Sequence, residues 1–118
     1  MDVRGHLDLL LLATLQRLGE AHGYALIAEL RSSSDGVFDL AEGTVYPALH
    51  RLERGGAVTS VTDRTAARPR RIYRLTGAGQ TLLADRRTQW QVFAEGMRKI
   101  IGTVPARPAG PANPAVTW

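Results

Sequence analysis

The chain has 118 residues, 15 Lys and Arg against 11 Asp and Glu, a net charge of +4 and no cysteine. This length suits one domain with a modest core that gains stability by dimerising, and the missing cysteines exclude disulfides, thiol catalysis and thiolate metal sites. The longest apolar run, Leu9 to Ala13, falls far short of the roughly 20 residues of a membrane span; no apolar stretch behind a basic N-terminus resembles a signal peptide, so the cytoplasm is the expected compartment.

Val3 to Leu18 is dense in leucine, with Leu7, Leu9, Leu10, Leu11, Leu12, Leu15 and Leu18. A helix apolar on most sides needs two partners, its own core and a second subunit. Gly19, able to take positive φ, ends it. A second helix is expected from Gly23 to Arg31, with Ala25, Leu26, Ile27 and Leu30 on its buried face. The turn-forming run Ser32-Ser33-Ser34-Asp35-Gly36 follows it.

The third helix, from Glu42 to Arg54, repays an angular reading. Val45, Leu49 and Leu52 share one face and are core. The opposite face carries Gly43, Pro47, His50, Arg51 and Arg54, with Thr44 and Tyr46 on its flanks. Gly and Pro are poor helix-interior residues, but near an N-terminus proline costs less, and a small first turn lets backbone N–H groups approach a phosphate. Thr, Tyr, His and Arg are donors that contact phosphates and base edges. The plainer alternative makes Tyr46 a cap on the core and His50 a surface residue.

Gly55-Gly56 stops this helix, and two short strands follow, the first with Val58 and Val61, the second with Ile72, Tyr73 and Leu75. The tip between them, Asp63 to Arg70, carries Arg68, Pro69 and Arg70, followed at once by Arg71. Guanidinium forks onto oxygens and is weakly hydrated, so this run suits phosphate or minor-groove contact. From His50 to Leu75 there are seven arginines against Glu53 and Asp63, a local excess that points to a polyanion.

Thr76 is placed as the N-cap of a last helix, Gly77 to about Ile101. Leu83, Trp90 and Met97 recur at one heptad position, and Arg86, Phe93 and Ile100 lie three residues on. Such a stripe means helix pairing, most simply with the same helix of a twin. Leu83, Trp90, Phe93, Met97 and Ile100 are therefore the expected dimer contacts. Beyond residue 103, Pro105, Pro108, Pro111 and Pro114 recur among Ala and Gly, a composition expected to be extended or disordered.

The fold class these parts spell is mainly α with a small β-hairpin: a winged helix-turn-helix DNA-binding domain over residues 1–76, a dimerisation helix over 77–102 and a tail over 103–118. Catalysis finds little support, since His6, His22 and His50 have no metal spacing with acidic residues and Gly77-x-Gly79 is too short for a phosphate loop. No metal or cofactor is expected. A winged helix that binds only protein, its basic hairpin facing an acidic partner, is the competing class.

Three motifs then resemble the PadR-like family of transcriptional regulators. Leu18-Gly19 with His22-Gly23-Tyr24 resembles the opening of its second helix. Gly43-Thr44-Val45-Tyr46-Pro47-Ala48-Leu49-His50-Arg51-Leu52-Glu53 is similar to its recognition-helix motif, and Arg68-Pro69-Arg70-Arg71-Ile72-Tyr73-Arg74-Leu75-Thr76 with Gly79 resembles its wing and dimer-helix start. The likeness covers about residues 4–101 and implies a cytoplasmic, dimeric, ligand-responsive repressor of the short subfamily; a two-fold dimer presents two equal helices, so its operator in double-stranded DNA is expected to be an inverted repeat.

Trp90, mid-stripe, meets its twin across a two-fold axis. Two indoles there pack as plain dimer core or stay apart around a slot for a planar aromatic, drug-like effector, with Arg86 supplying charge and Phe93 a wall. The resemblance favours the slot. Three departures stand out. Ala41 replaces an N-cap Ser, which opens that helix start to fraying. Ala67 replaces a wing glycine, which affects the turn at the tip. Ile72 replaces one of two aromatics, a change compatible with a core.

Overall fold

The computed structural model describes residues 6–102; the expected helical residues 3–5, the Pro-rich tail and Trp118 lie outside that range. The leucine-rich opening forms α1 (Leu7–Leu18), which buries Leu7, Leu11, Leu12 and Leu15. Leu9 and Leu10 are half-buried against the same core. Gly19 takes φ 83° and its N–H reaches back to the Leu15 carbonyl, so the helix ends where a Cβ would be strained.

After α1 the chain forms a strand that the sequence pattern did not show, β1 (Ala21–His22), then α2 (Gly23–Ser33) and α3 (Glu42–Arg54). The hairpin is β2 (Val58–Asp63) and β3 (Arg70–Leu75), and the long helix α4 (Gly77–Ile101) closes the described chain. The sheet is antiparallel with order β1-β3-β2, pairing Ala21 with Tyr73 and Val61 with Ile72. It therefore has three strands where a two-stranded hairpin was expected. Two residues are too few to display the alternation by which strands are recognised. α2 also runs through Ser32 and Ser33, so the turn begins only at Ser34.

In α3, Val45, Ala48, Leu49 and Leu52 are buried. Burying a side chain of the Val or Leu class contributes about 1.5–3 kcal/mol, enough to offset the roughly 3 kcal/mol cost of Pro47 inside the helix. That proline stands in the second turn rather than the first, and having no N–H it gives the Gly43 carbonyl no helical partner. Both residues are exposed. Ala41 offers no side-chain cap, yet its carbonyl accepts from the amides of Thr44 at 3.0 Å and Val45 at 3.1 Å, and the helix starts regularly at Glu42.

Tyr73, Val58 and the start of α4 complete the core together with Leu83. Ile72 is half-buried and neighbours Val61 on the outer face of the sheet, so its substitution is not a core change. At the N-terminus of α4, the Thr76 hydroxyl accepts from the Gly79 amide at 3.0 Å and donates to the Gly56 and Ala57 carbonyls. Gly79 sits so close to Ala57 that an added Cβ would lie 1.9 Å from its carbonyl oxygen. No helix among the described residues is long and apolar enough to cross a membrane.

Candidate nucleic-acid interface

α3 and the wing present their polar groups side by side. On α3, Gly43, Pro47, His50 and Arg54 are exposed, Thr44 and Tyr46 are half-buried, and a Cβ added at Gly43 would meet open space. The wing carries Arg68, Arg70 and Arg71, all exposed. Its tip, residues 64–69, turns without any left-handed residue, so Ala67 closes a loop that does not require glycine. Asp63 holds the base of this loop: its Oδ1 accepts from the Thr65 hydroxyl at 2.6 Å and amide at 2.9 Å. Those bonds, hydroxyl first, hold the carboxyl below the usual carboxylate range. The stabilisation is therefore present at neutral pH and lost as pH falls through the lowered pKa.

Two arginines are not as available as their positions suggested. Arg51 reaches away from the face and pairs with Asp8 of α1 at 2.7 Å. Arg71 donates to the Ser60 hydroxyl at 3.0 Å, and Ser60 in turn donates to Glu53 at 2.6 Å. Between α3 and β3 lies a notch of about 370 Å³ lined by His22, Gly23, Tyr24, Tyr46, His50, Arg70, Arg71 and Tyr73. It gathers Tyr46, His50, Arg70 and Arg71, which are far apart in sequence, and adds three side chains absent from the sequence-based set: His22, Tyr24 and Tyr73. His22-Gly23-Tyr24 was legible as a motif but not as a neighbour of the wing.

The second candidate region is the far half of α4. Leu83 is only 1% exposed and packs in the core of its own chain, so it is removed from the free stripe. Trp90, Phe93, Met97 and Ile100 stay exposed, the last at 86%, together with Val92 and Ile101. Trp90 and Phe93 join His6 in an aromatic group, the His6 and Trp90 ring centroids 5.2 Å apart and edge-on, those of Trp90 and Phe93 5.7 Å apart. A cavity of about 230 Å³ opens there, lined by His6, Leu9, Arg86, Gln89, Trp90 and Phe93. It unites the three proposed effector contacts and adds a wall from α1. The many-sided apolar character of α1 was the sequence signal for that wall. Among the described residues no group of His, Cys, Asp and Glu could hold a metal ion.

Comparison with known proteins gives consistent matches. The family model described as "Transcriptional regulator PadR-like family" matches residues 11–85. Transcriptional regulator Rv3488 of Mycobacterium tuberculosis is 39% identical over 83 residues, 70% of this chain and 72% of that protein. Among solved structures, a transcriptional regulator from Clostridium thermocellum superposes with TM-score 0.77 at 26% identity, over 84% of this chain and 93% of that one. A PadR family regulator from Eggerthella lenta gives TM-score 0.69 at 35% identity, over 83% and 80%.

Proposed function

The chain belongs to the PadR-like family of transcriptional regulators, a family of regulators and not of enzymes, and from that premise we propose that it is a cytoplasmic homodimeric repressor. In this reading residues 1–76 bind an inverted-repeat operator, with α3 in the major groove and the wing on the flanking backbone. Residues 77–102 pair with their twin. The observation that carries the reading is the division of the surface. One face is basic and donor-rich, from Gly43 through Arg71, and the far half of α4 is apolar and uncovered. A basic face with recessed donors suits DNA; an apolar stripe of Trp90, Phe93, Met97 and Ile100 suits a second copy.

On α3 the central positions Gly43, Pro47 and Arg54 approach the bases, with Thr44, Tyr46 and His50 beside them. Arg51 reads bases only after leaving Asp8. Arg68, Arg70 and Arg71 contact phosphates. The cavity at Trp90, Phe93 and Arg86 takes a planar aromatic effector, which stacks on the rings and changes the angle between the paired helices, releasing the operator.

Selection from random duplexes tests the central claim. An inverted repeat with half-sites about 10 bp apart, or a multiple of that, is expected; an asymmetric single half-site contradicts it. Arg68→Ala or Arg70→Ala should weaken binding to all sequences and flatten the salt slope by about one unit each, whereas His50→Ala should change base preference. Titration of planar aromatic compounds, followed by Trp fluorescence with Trp90→Ala as control, tests the effector; quenching unchanged in Trp90→Ala places the ligand elsewhere.

A further inference from the structure

The notch between α3 and β3 contains a polar group that nothing in the fold uses. Tyr73 is 1% exposed, yet its hydroxyl makes no hydrogen bond among the described residues. Every fully enclosed side-chain nitrogen or oxygen among those residues has a partner, so the sliver of Tyr73 that solvent reaches includes the hydroxyl, and the notch is where Tyr73 meets solvent. Burial, and after it the Glu53 carboxylate, pushes this phenol above its ordinary range, so it stays a donor at neutral pH.

His22 is prepared in the same sense. As N-cap of α2 its Nδ1 accepts from the Ala25 amide at 3.3 Å. A ring nitrogen that accepts carries no proton, so the neutral imidazole keeps its proton on Nε2, and the ring lines the notch. Tyr46 lies directly over Gly23, where an added Cβ would meet its Cε1 at 2.5 Å. A side chain at position 23 would push the Tyr46 ring off the end of α2. The N-terminal end of that 11-residue helix favours an anion. Arg70 and Arg71 complete the lining; of the two nearby carboxylates, Glu53 already accepts from Ser60, and Asp63, whose charge reaches Arg70 and His22, accepts from Thr65.

We propose that this notch seats one backbone phosphodiester group of bound DNA, held by the neutral donors of Tyr73, His22 and Tyr46 between the recognition helix and the wing. The chemistry favours a phosphate over a base edge, because the notch sets its donors beside two cations and a helix N-terminus, and only the phosphodiester brings a full negative charge to them. The inference rests on the DNA-binding reading above and adds His22 and Tyr73 to its contacts. It also separates two kinds of phosphate contact. A neutral donor releases no counterion, so its loss lowers affinity without altering the salt slope, unlike the loss of a wing arginine.

The test uses the full chain and duplex DNA, with affinity measured over a range of salt. Tyr73→Phe removes one oxygen from a packed ring, and His22→Asn keeps a good N-cap acceptor while withdrawing the distant N–H. Each should bind every duplex about tenfold more weakly, as loss of a hydrogen bond to a charged group does, with unchanged salt slope and thermal midpoint. Replacing successive DNA phosphates by neutral methylphosphonates should then expose one position per half-site that weakens the native protein more than it weakens Tyr73→Phe, in which His22, Tyr46 and the arginines still hold the group. If the native protein binds duplexes while both variants match it, the notch proposal fails and DNA binding stands. Native protein that binds no duplex overturns both. If every position that weakens the native protein weakens Tyr73→Phe to the same extent, no phosphate sits against this hydroxyl and the proposal is overturned.

Discussion

Along α4 a single helix meets two environments. From Gly77 to Leu83 it is pressed against the wing and the core: Gly79 has no room for a Cβ beside the Ala57 carbonyl, and Leu83 is enclosed. From Trp90 to Ile101 the same helix is as apolar, yet its large side chains face outward. The apolar residues are small at the first end and large at the second, and what sets that difference is whether this chain supplies a cover. In the first half the cover is backbone, so the helix must be small there. In the second half the proposed cover is another copy, and bulk is what that contact needs.

This contrast can be broken at either end. The largest effect is expected from Gly79→Ala, whose methyl collides with backbone that cannot swing aside. A loss of about 3 kcal/mol is expected, at the upper end for overpacking, read from the denaturant midpoint. Next is Met97→Glu combined with Ile100→Glu, which places charge on the uncovered stripe. Sedimentation should show the dimer weakened about 100-fold or more while far-UV dichroism keeps its helical signal; an unchanged mass would remove the stripe from the interface. Thr76→Ala loses a cap and should cost about 1 kcal/mol, again from the denaturant midpoint. The smallest effect sharpens the comparison most. Gly96→Ala, in the same helix but with nothing within 4 Å, should raise stability by about 0.5–1 kcal/mol. Opposite signs from one substitution type, at positions 79 and 96, would locate the change of environment.

What the sequence revealed follows from the reach of each signal. Val45, Leu49 and Leu52 were legible because helical periodicity is local, and Thr76 because its cap lies three residues from its donor. The extent of α4 was legible for the same reason. Leu83 was misassigned because a heptad pattern shows that a face is apolar, not which chain covers it. The Arg51–Asp8 pair joins residues 43 apart in sequence, and no spacing rule brings them together. β1 has only two residues, and its pairing with β3 is what carries His22 to the wing. Tyr73 read only as a residue of the second strand; that its ring is buried while its hydroxyl meets the notch depends on tertiary packing that no pattern encodes.

The junction at Thr76 has a mechanical consequence. Its hydroxyl ties the helix start to the carbonyls of residues 56 and 57, and Gly79 fills the space beside them, so the base of α4 is clamped and cannot act as a pivot. A clamped rod transmits rotation in full. With 25 residues α4 is a lever roughly 37 Å long, and a tilt of about 5° at one end sweeps the other through about 3 Å. That travel is comparable to the length of a hydrogen bond, so in the proposed dimer a modest change of crossing angle at the twin's helix would suffice to take the wing out of register with the DNA backbone proposed for it.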